Sequence, residues 1–178
     1  MCIRDSLKGL GFVKKEGSDK APYPWAGLSD GKIYIGIHQH DKLKQYSGLS
    51  ITYFAEDLSL PYNALKSAGI KTQDEKKKKD TLLHFRVISP ENVGINFYKM
   101  TPNHFPPKPS GKSTATCGTF GEVAIQTNDY KKSKQFWQSL NFVSKHESSS
   151  PYSWGIFQDG YVTIGLHEQN EFQQTAIT

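Results

Sequence analysis

The chain is poor in cysteine, with only Cys2 and Cys117 in 178 residues. Two distant thiols make neither a disulfide framework nor a metal-binding spacing, so a reducing compartment is expected, here the cytoplasm. Long apolar runs are missing as well. None approaches the roughly 20 residues that span a bilayer as a helix. The opening MCIRDSLKGL has no apolar segment of the signal-peptide kind. No membrane partner is therefore expected. The phosphate-binding G-x-x-x-x-G-K-[ST] loop, the G-x-G-x-x-G dinucleotide fingerprint and the G-x-S-x-G nucleophile elbow are all absent. Nor does one sign of charge dominate, since 22 Lys and Arg stand against 17 Asp and Glu for a net +5. Much of that surplus sits in Lys76–Lys79, flanked by Asp74, Glu75 and Asp80. The run reads either as a phosphate-binding patch or as a solvated hairpin tip. It has no interleaved aromatics to stack on bases, which favours the hairpin tip and no nucleic-acid partner.

What the chain does have is a repeat. Pro22–His38, PYPWAGLSDGKIYIGIH, returns as Pro151–His167, PYSWGIFQDGYVTIGLH. Without a gap, eight of the seventeen positions are identical: Pro, Tyr, Trp, Asp, Gly, Ile, Gly and His. Such self-similarity marks a chain built by internal duplication. A hydrophobic share of 36% and 12% aromatics predict folded domains with a real core.

Met1–Ser6 fits no element and is set aside as non-native sequence. Leu7–Phe12 reads as the end of a helix. Strands are expected over Val13–Glu16, Trp25–Leu28 and Ile33–His38, with Gly17–Ala21 and Asp30–Gly31 as turns. In Ile33–His38 the alternation puts Ile33, Ile35 and Ile37 on one face, to bury against a helix. Tyr34, Gly36 and His38 take the other, where a ligand could sit. Leu49–Ala55 alternates likewise. Ser59–Gly69 reads as a helix capped by Ser59 and stopped by Gly69. Strands follow over Ile70–Gln73, Leu82–Ile88 and Ile95–Tyr98, with the lysine run as a turn. Residues 101–118, rich in proline and serine, form an extended linker. The pattern then restarts: strand Glu122–Thr127, a helix over Tyr130–Leu140 capped by Asp129, and strands over Phe142–Lys145, Trp154–Phe157 and Val162–His167. Ala176–Thr178 matches Ser50–Thr52. The chain is thus expected to be a fragment, lacking sequence at both ends and leaving an open sheet edge near Glu122–Thr127 through which copies associate.

The unit is strand–helix–strand–strand–strand. EVAIQTNDYKKSKQFWQSLNF, ITYFAEDLSLPYNALKSAGI and ISPENVGINF resemble, in that order, the opening strand and helix, the second-unit opening and the closing turn and strand of the vicinal oxygen chelate superfamily. That superfamily includes glyoxalase I, bleomycin and fosfomycin resistance proteins and extradiol dioxygenases. The resemblance implies an α+β fold in which paired units form half-open, eight-stranded, glyoxalase-like barrels around a small molecule. Residues 7–100 would be the first domain, its first unit lacking the opening strand, and 119–178 a truncated second.

Enzymes of this superfamily place metal ligands, His or Glu, in the first and last strand of each unit. The corresponding positions here hold Gly36, Ser50, Asn96, Glu122, Gly165 and Ala176. Only Glu122 is a good ligand, and such a site wants about three from the protein. A divalent metal is considered and disfavoured, with Glu122 its weak candidate. His38 and His167, each two residues beyond a glycine, are candidate catalytic groups or plain strand-end polar residues. Trp25 and Trp154 stack on a flat ligand or belong to the core. His84 and Arg86 share a strand face, where Arg86 pairs with an anionic ligand or the two form an exposed pair.

The reading that results is a bleomycin-resistance-like protein binding a small molecule in a pocket lined by Tyr34, His38, Thr52, Phe54, Asn96 and Tyr98, with no obligatory metal. The alternative is a metal-dependent lyase, isomerase or dioxygenase with ligands in the missing ends.

Overall fold

The computed structural model describes residues 7–20, 23–39, 49–104, 112–169 and 176–177. Met1–Ser6, His40 and the centre of the expected linker (105–111) lie outside the described residues. The chain divides into two compact units, Met1–Lys44 with Pro106–Phe120, and Gln45–Phe105 with Gly121–Thr178. Residues 45–100 thus group with the later part of the chain, and the later part of the expected linker groups with the first unit.

In the first unit, β1 (Val13–Ser18), β2 (Trp25–Ser29) and β3 (Tyr34–His38) form an antiparallel sheet in that order. The Asp-Gly turn between β2 and β3 closes on its own aspartate. Asp30 Oδ1 accepts from the backbone N–H groups of Lys32 at 2.8 Å and Ile33 at 2.9 Å. Gly31 supplies the positive φ of 92° that the turn requires. The other oxygen of Asp30 accepts from Ser113 Oγ at 2.7 Å. Thr116 N–H donates to the Leu10 carbonyl at 3.1 Å, so residues 113–116 are a hydrogen-bonded strap rather than a free spacer. Leu28 is fully buried, but Ile35 and Ile37 are only half-buried. The expected helix-covered isoleucine face is therefore not closed among the described residues of this unit.

The second unit holds two sheets. β4 (Ser50–Ala55), β5 (Gln73–Lys78), β6 (Thr81–Ile88) and β7 (Gly94–Lys99) are ordered β4-β7-β6-β5, with β4 and β7 parallel. One face packs on the helix Ser59–Ser67: Phe85, Val87 and Ile95 are fully buried, and Tyr62 meets Phe85 edge-on at 5.3 Å. β8 (Val123–Gln126), β9 (Val143–Ser148), β10 (Trp154–Gln158), β11 (Thr163–His167) and β12 (Ala176–Ile177) are ordered β12-β8-β11-β10-β9. Their apolar face buries Ile125, Phe157, Ile164 and Leu166 against Trp137 of the helix Tyr130–Ser139. Asp129 caps that helix as expected, accepting from Lys132 N–H at 3.0 Å. The Tyr53 hydroxyl of β4 donates to the Asp159 carboxylate in the β10–β11 turn. Two repeats of strand, helix and three strands are thus present in this unit, and the fold is α+β.

Several local expectations are corrected. The helix at 59 is not capped by Ser59, which lies inside it. The Asp57 carboxylate instead accepts from Ser59 N–H at 2.9 Å and from its hydroxyl at 2.6 Å. The lysine run is not a turn. Lys76–Lys78 are the second half of β5, an edge strand exposed along its whole length, and edge lysines oppose pairing with a further strand. Only the run's last residue, Lys79 with φ 53°, enters the turn, together with Asp80. Finally, β8 is not an open edge, since β11 pairs with one side and β12 with the other. No helix among the described residues is long and apolar enough to cross a membrane.

Candidate functional site

The identical residues of the repeat build the same local structure twice. Trp25 pairs across the strands with His38, and Trp154 with His167. The rings stack nearly parallel, at 6.1 Å and 10° in the first copy and 6.4 Å and 6° in the second. Tyr23 and Tyr152 tilt against the same histidines at 5.8 and 6.3 Å. The tryptophans are half-buried, each with a histidine against one face.

The glycines two residues earlier leave room for polar side chains. A Cβ on Gly36 would stand 3.0 Å from His38 Nε2. On Gly165 it would stand 2.3 Å from both carboxylate oxygens of Glu122. Glu122 Oε1 lies 2.9 Å from His167 Nε2, with the two side chains 16% and 13% exposed. The two residues singled out separately in the sequence are therefore one pair. Burial lowers the pKa of His38 below the ordinary imidazole value.

The donors do not fit a three-ligand metal centre. Gly36, Ser50, Asn96, Gly165 and Ala176 offer no imidazole or carboxylate, and Glu122 is engaged with His167. Among the described residues no group of three His, Cys, Asp or Glu collects.

Of the six expected pocket residues, Tyr34 and His38 belong to the first unit. Tyr34 lies across Gly27 and its hydroxyl donates to the Glu16 carboxylate, a bond within its own sheet. Burial, and then that carboxylate, push the Tyr34 phenol well above its ordinary pKa. Thr52, Phe54, Asn96 and Tyr98 belong to the second unit and share one sheet face: Thr52 is opposite Asn96, and Phe54 opposite Tyr98. The register adds His84 opposite Tyr98 and Arg86 opposite Asn96. His84 and Arg86 are not an exposed pair, being 6% and 7% exposed.

A bulge in β5 supports both. Asp74, at φ 51°, lies in the register shift between Gln73 and Lys76. Its carbonyl meets His84 Nδ1 at 2.9 Å, and its carboxylate stands 3.6 Å from Arg86. The His84 ring stacks on Tyr98 at 4.3 Å. Gly94 leaves space for the guanidinium, which would lie 3.1 Å from a Cβ there. Sequence reasoning missed Asp74. The available signal was an Asp inside a weak strand, the residue type that tolerates positive φ.

No family model matches the chain, and no curated protein matches it. Solved structures do. A catechol 2,3-dioxygenase superposes with a TM-score of 0.58 at 12% identity, covering 93% of this chain and 60% of its own. Homoprotocatechuate 2,3-dioxygenase from Arthrobacter globiformis gives 0.58 at 13% identity, covering 90% and 53%. A mutant 4-hydroxymandelate synthase from Streptomyces coelicolor gives 0.57 at 11%, covering 91% and 57%. The chain thus spans little more than half the length of these structures. With its repeated strand–helix–strand–strand–strand units, this chain has the vicinal oxygen chelate fold.

Proposed function

We propose that this chain binds a small, partly apolar molecule on the polar and aromatic face of the β4-β7-β6-β5 sheet, without an obligatory metal. One observation carries the reading. Among the described residues, four buried polar side chains serve turns or a helix start: Asp30 and Ser89 close turns, and Thr127 and Ser133 bond each other. His84, Arg86 and Asn96, the first two held by Asp74, are buried polar groups gathered on one sheet face, beside the exposed ring of Tyr98 and the edge residues Thr52 and Phe54. Buried polar groups with adjacent aromatic surface are what a ligand site needs.

Anilinonaphthalene sulfonate, an aromatic anion, is a suitable probe. Saturable binding lost in Tyr98→Ala and weakened in Arg86→Gln, with Tyr161→Ser as a surface control, is the expected result. Binding indifferent to Tyr98 and Arg86 counts against the reading. The Glu122–His167 pair favours a second one, a metal-dependent lyase, isomerase or dioxygenase, because it already joins two donors. Stoichiometric zinc, nickel, iron or manganese in the purified chain, lost in Glu122→Ala, would establish it over the first.

A further inference from the structure

The hydrogen bonding of His84 restricts what this face can bind. A carbonyl oxygen only accepts, so the contact from His84 Nδ1 to the Asp74 carbonyl at 2.9 Å places a proton on Nδ1. Neutral His84 therefore presents Nε2 as an acceptor. That atom is buried and has no hydrogen-bond partner among the described residues. A buried acceptor left unmade is costly, and a partner that supplies a proton removes the cost. The surroundings favour a planar partner. The imidazole lies against Tyr98 at 4.3 Å and Tyr98 against Phe54 at 6.2 Å. The Tyr98 ring stacked on the imidazole face is 39% exposed, so aromatic surface beside His84 is open to solvent.

We infer that the ligand of this face is an aromatic molecule bearing a ring-borne hydrogen-bond donor, O–H or N–H, and that His84 Nε2 is the acceptor that selects it. This rests on the binding reading above. Arg86, on the same face, adds a cation that favours electron-rich rings and partial negative charge on the donor atom. The selecting feature is the lone pair of Nε2, so a molecule of equal shape with its donor methylated is discriminated against.

The experiment uses two matched pairs, phenol against anisole and indole against 1-methylindole, titrated into the full chain by calorimetry. The first pair isolates the hydroxyl source and the second the N–H source. Each donor should bind about tenfold more tightly than its methylated partner. His84→Asn keeps a side-chain N–H for the Asp74 carbonyl and removes Nε2, so the ratio should fall to near unity. His84→Phe, which keeps a ring against Tyr98, is the second variant should the first not fold. If all four probes bind and the donors have no advantage, or if the advantage survives in both variants, the donor assignment is wrong and the binding face stands. If none binds the wild-type chain, the binding face fails with it.

Discussion

Replacing Gly165 with alanine puts a Cβ 2.3 Å from both carboxylate oxygens of Glu122. No real Cβ sits that close, so something moves, and the movable group is the end of the Glu122 side chain rather than a backbone. The consequence is loss of the 2.9 Å contact to His167. For a mostly buried pair that contact contributes about 1–2 kcal/mol, after allowing for its residual exposure. Against this, alanine restricts the unfolded chain relative to glycine and returns about 0.4–1 kcal/mol. The net expectation is a loss of about 0.5–1.5 kcal/mol. In a Glu122→Ala background there is no carboxylate to displace, and the same Gly165→Ala change should become neutral or stabilising. Urea unfolding of the four proteins, with unchanged m-values, measures the coupling directly. A coupling of about 1–2 kcal/mol is expected. An equal cost of Gly165→Ala in both backgrounds would refute the assignment of this glycine as the space for Glu122.

Other consequences follow from the two turn aspartates and the edge strand. Tyr53→Phe removes one hydrogen bond to Asp159 and should cost about 1 kcal/mol in denaturant unfolding. Burial and the Asp159 carboxylate push the Tyr53 phenol well above its ordinary pKa, so a spectrophotometric titration should show it ionising only as the chain unfolds in alkali. Burial pushes the Asp30 carboxyl up, but hydrogen bonds from Ile33, Ser113 and Lys32 outweigh it and hold the pKa below the usual value. A carboxylate with a depressed folded pKa contributes stability above its unfolded pKa and loses it as pH falls through the folded value. Asp30→Asn should therefore flatten the acid limb of a stability–pH curve, and an unchanged limb would argue against this role. Replacing Lys76 and Lys78 with valine removes charge from an exposed edge strand and should give concentration-dependent association in light scattering.

The order of elements was legible because it rests on local chemistry. Alternation marks β4, β6 and β7, Asp129 caps its helix, and Asp30-Gly31 makes the β2–β3 turn. β5 was not legible. Gln73–Lys78, QDEKKK, has neither β-branched residues nor alternation, and it is a strand only through its ladder to β6 and the contacts of Asp74. The misplaced cap at Ser59 is of another kind. Asp57 and Ser59 are both of residue types that cap helices, yet the N-cap position falls on Leu58 between them, and only the backbone path decides that. For His84 and Arg86, alternation settled which face they share, but burial depends on what covers that face, and no period in the sequence encodes it. The pairing of Glu122 with His167 joins residues far apart in the chain, so it too waited on the register of β8 and β11.

The duplication separates two kinds of constraint. Asp30 and Asp159 do the same work, each with one oxygen closing its turn and the other receiving a hydroxyl, from Ser113 in one case and Tyr53 in the other. The paired tryptophans and histidines stack with nearly the same geometry. The identical aspartates, tryptophans and histidines therefore each have a place in the construction of the hairpin. The glycines make the same point from the other side. Gly36 and Gly165 are identical, yet they accommodate different neighbours, His38 in one copy and Glu122 in the other. Residues that coincide between repeats therefore report on how the hairpin is made. The residues that distinguish one sheet from the rest, His84, Arg86 and Asn96, lie outside the repeated stretch. Buried, polar and gathered on one face, they owe their arrangement to the sheet register and to Asp74, not to the duplication.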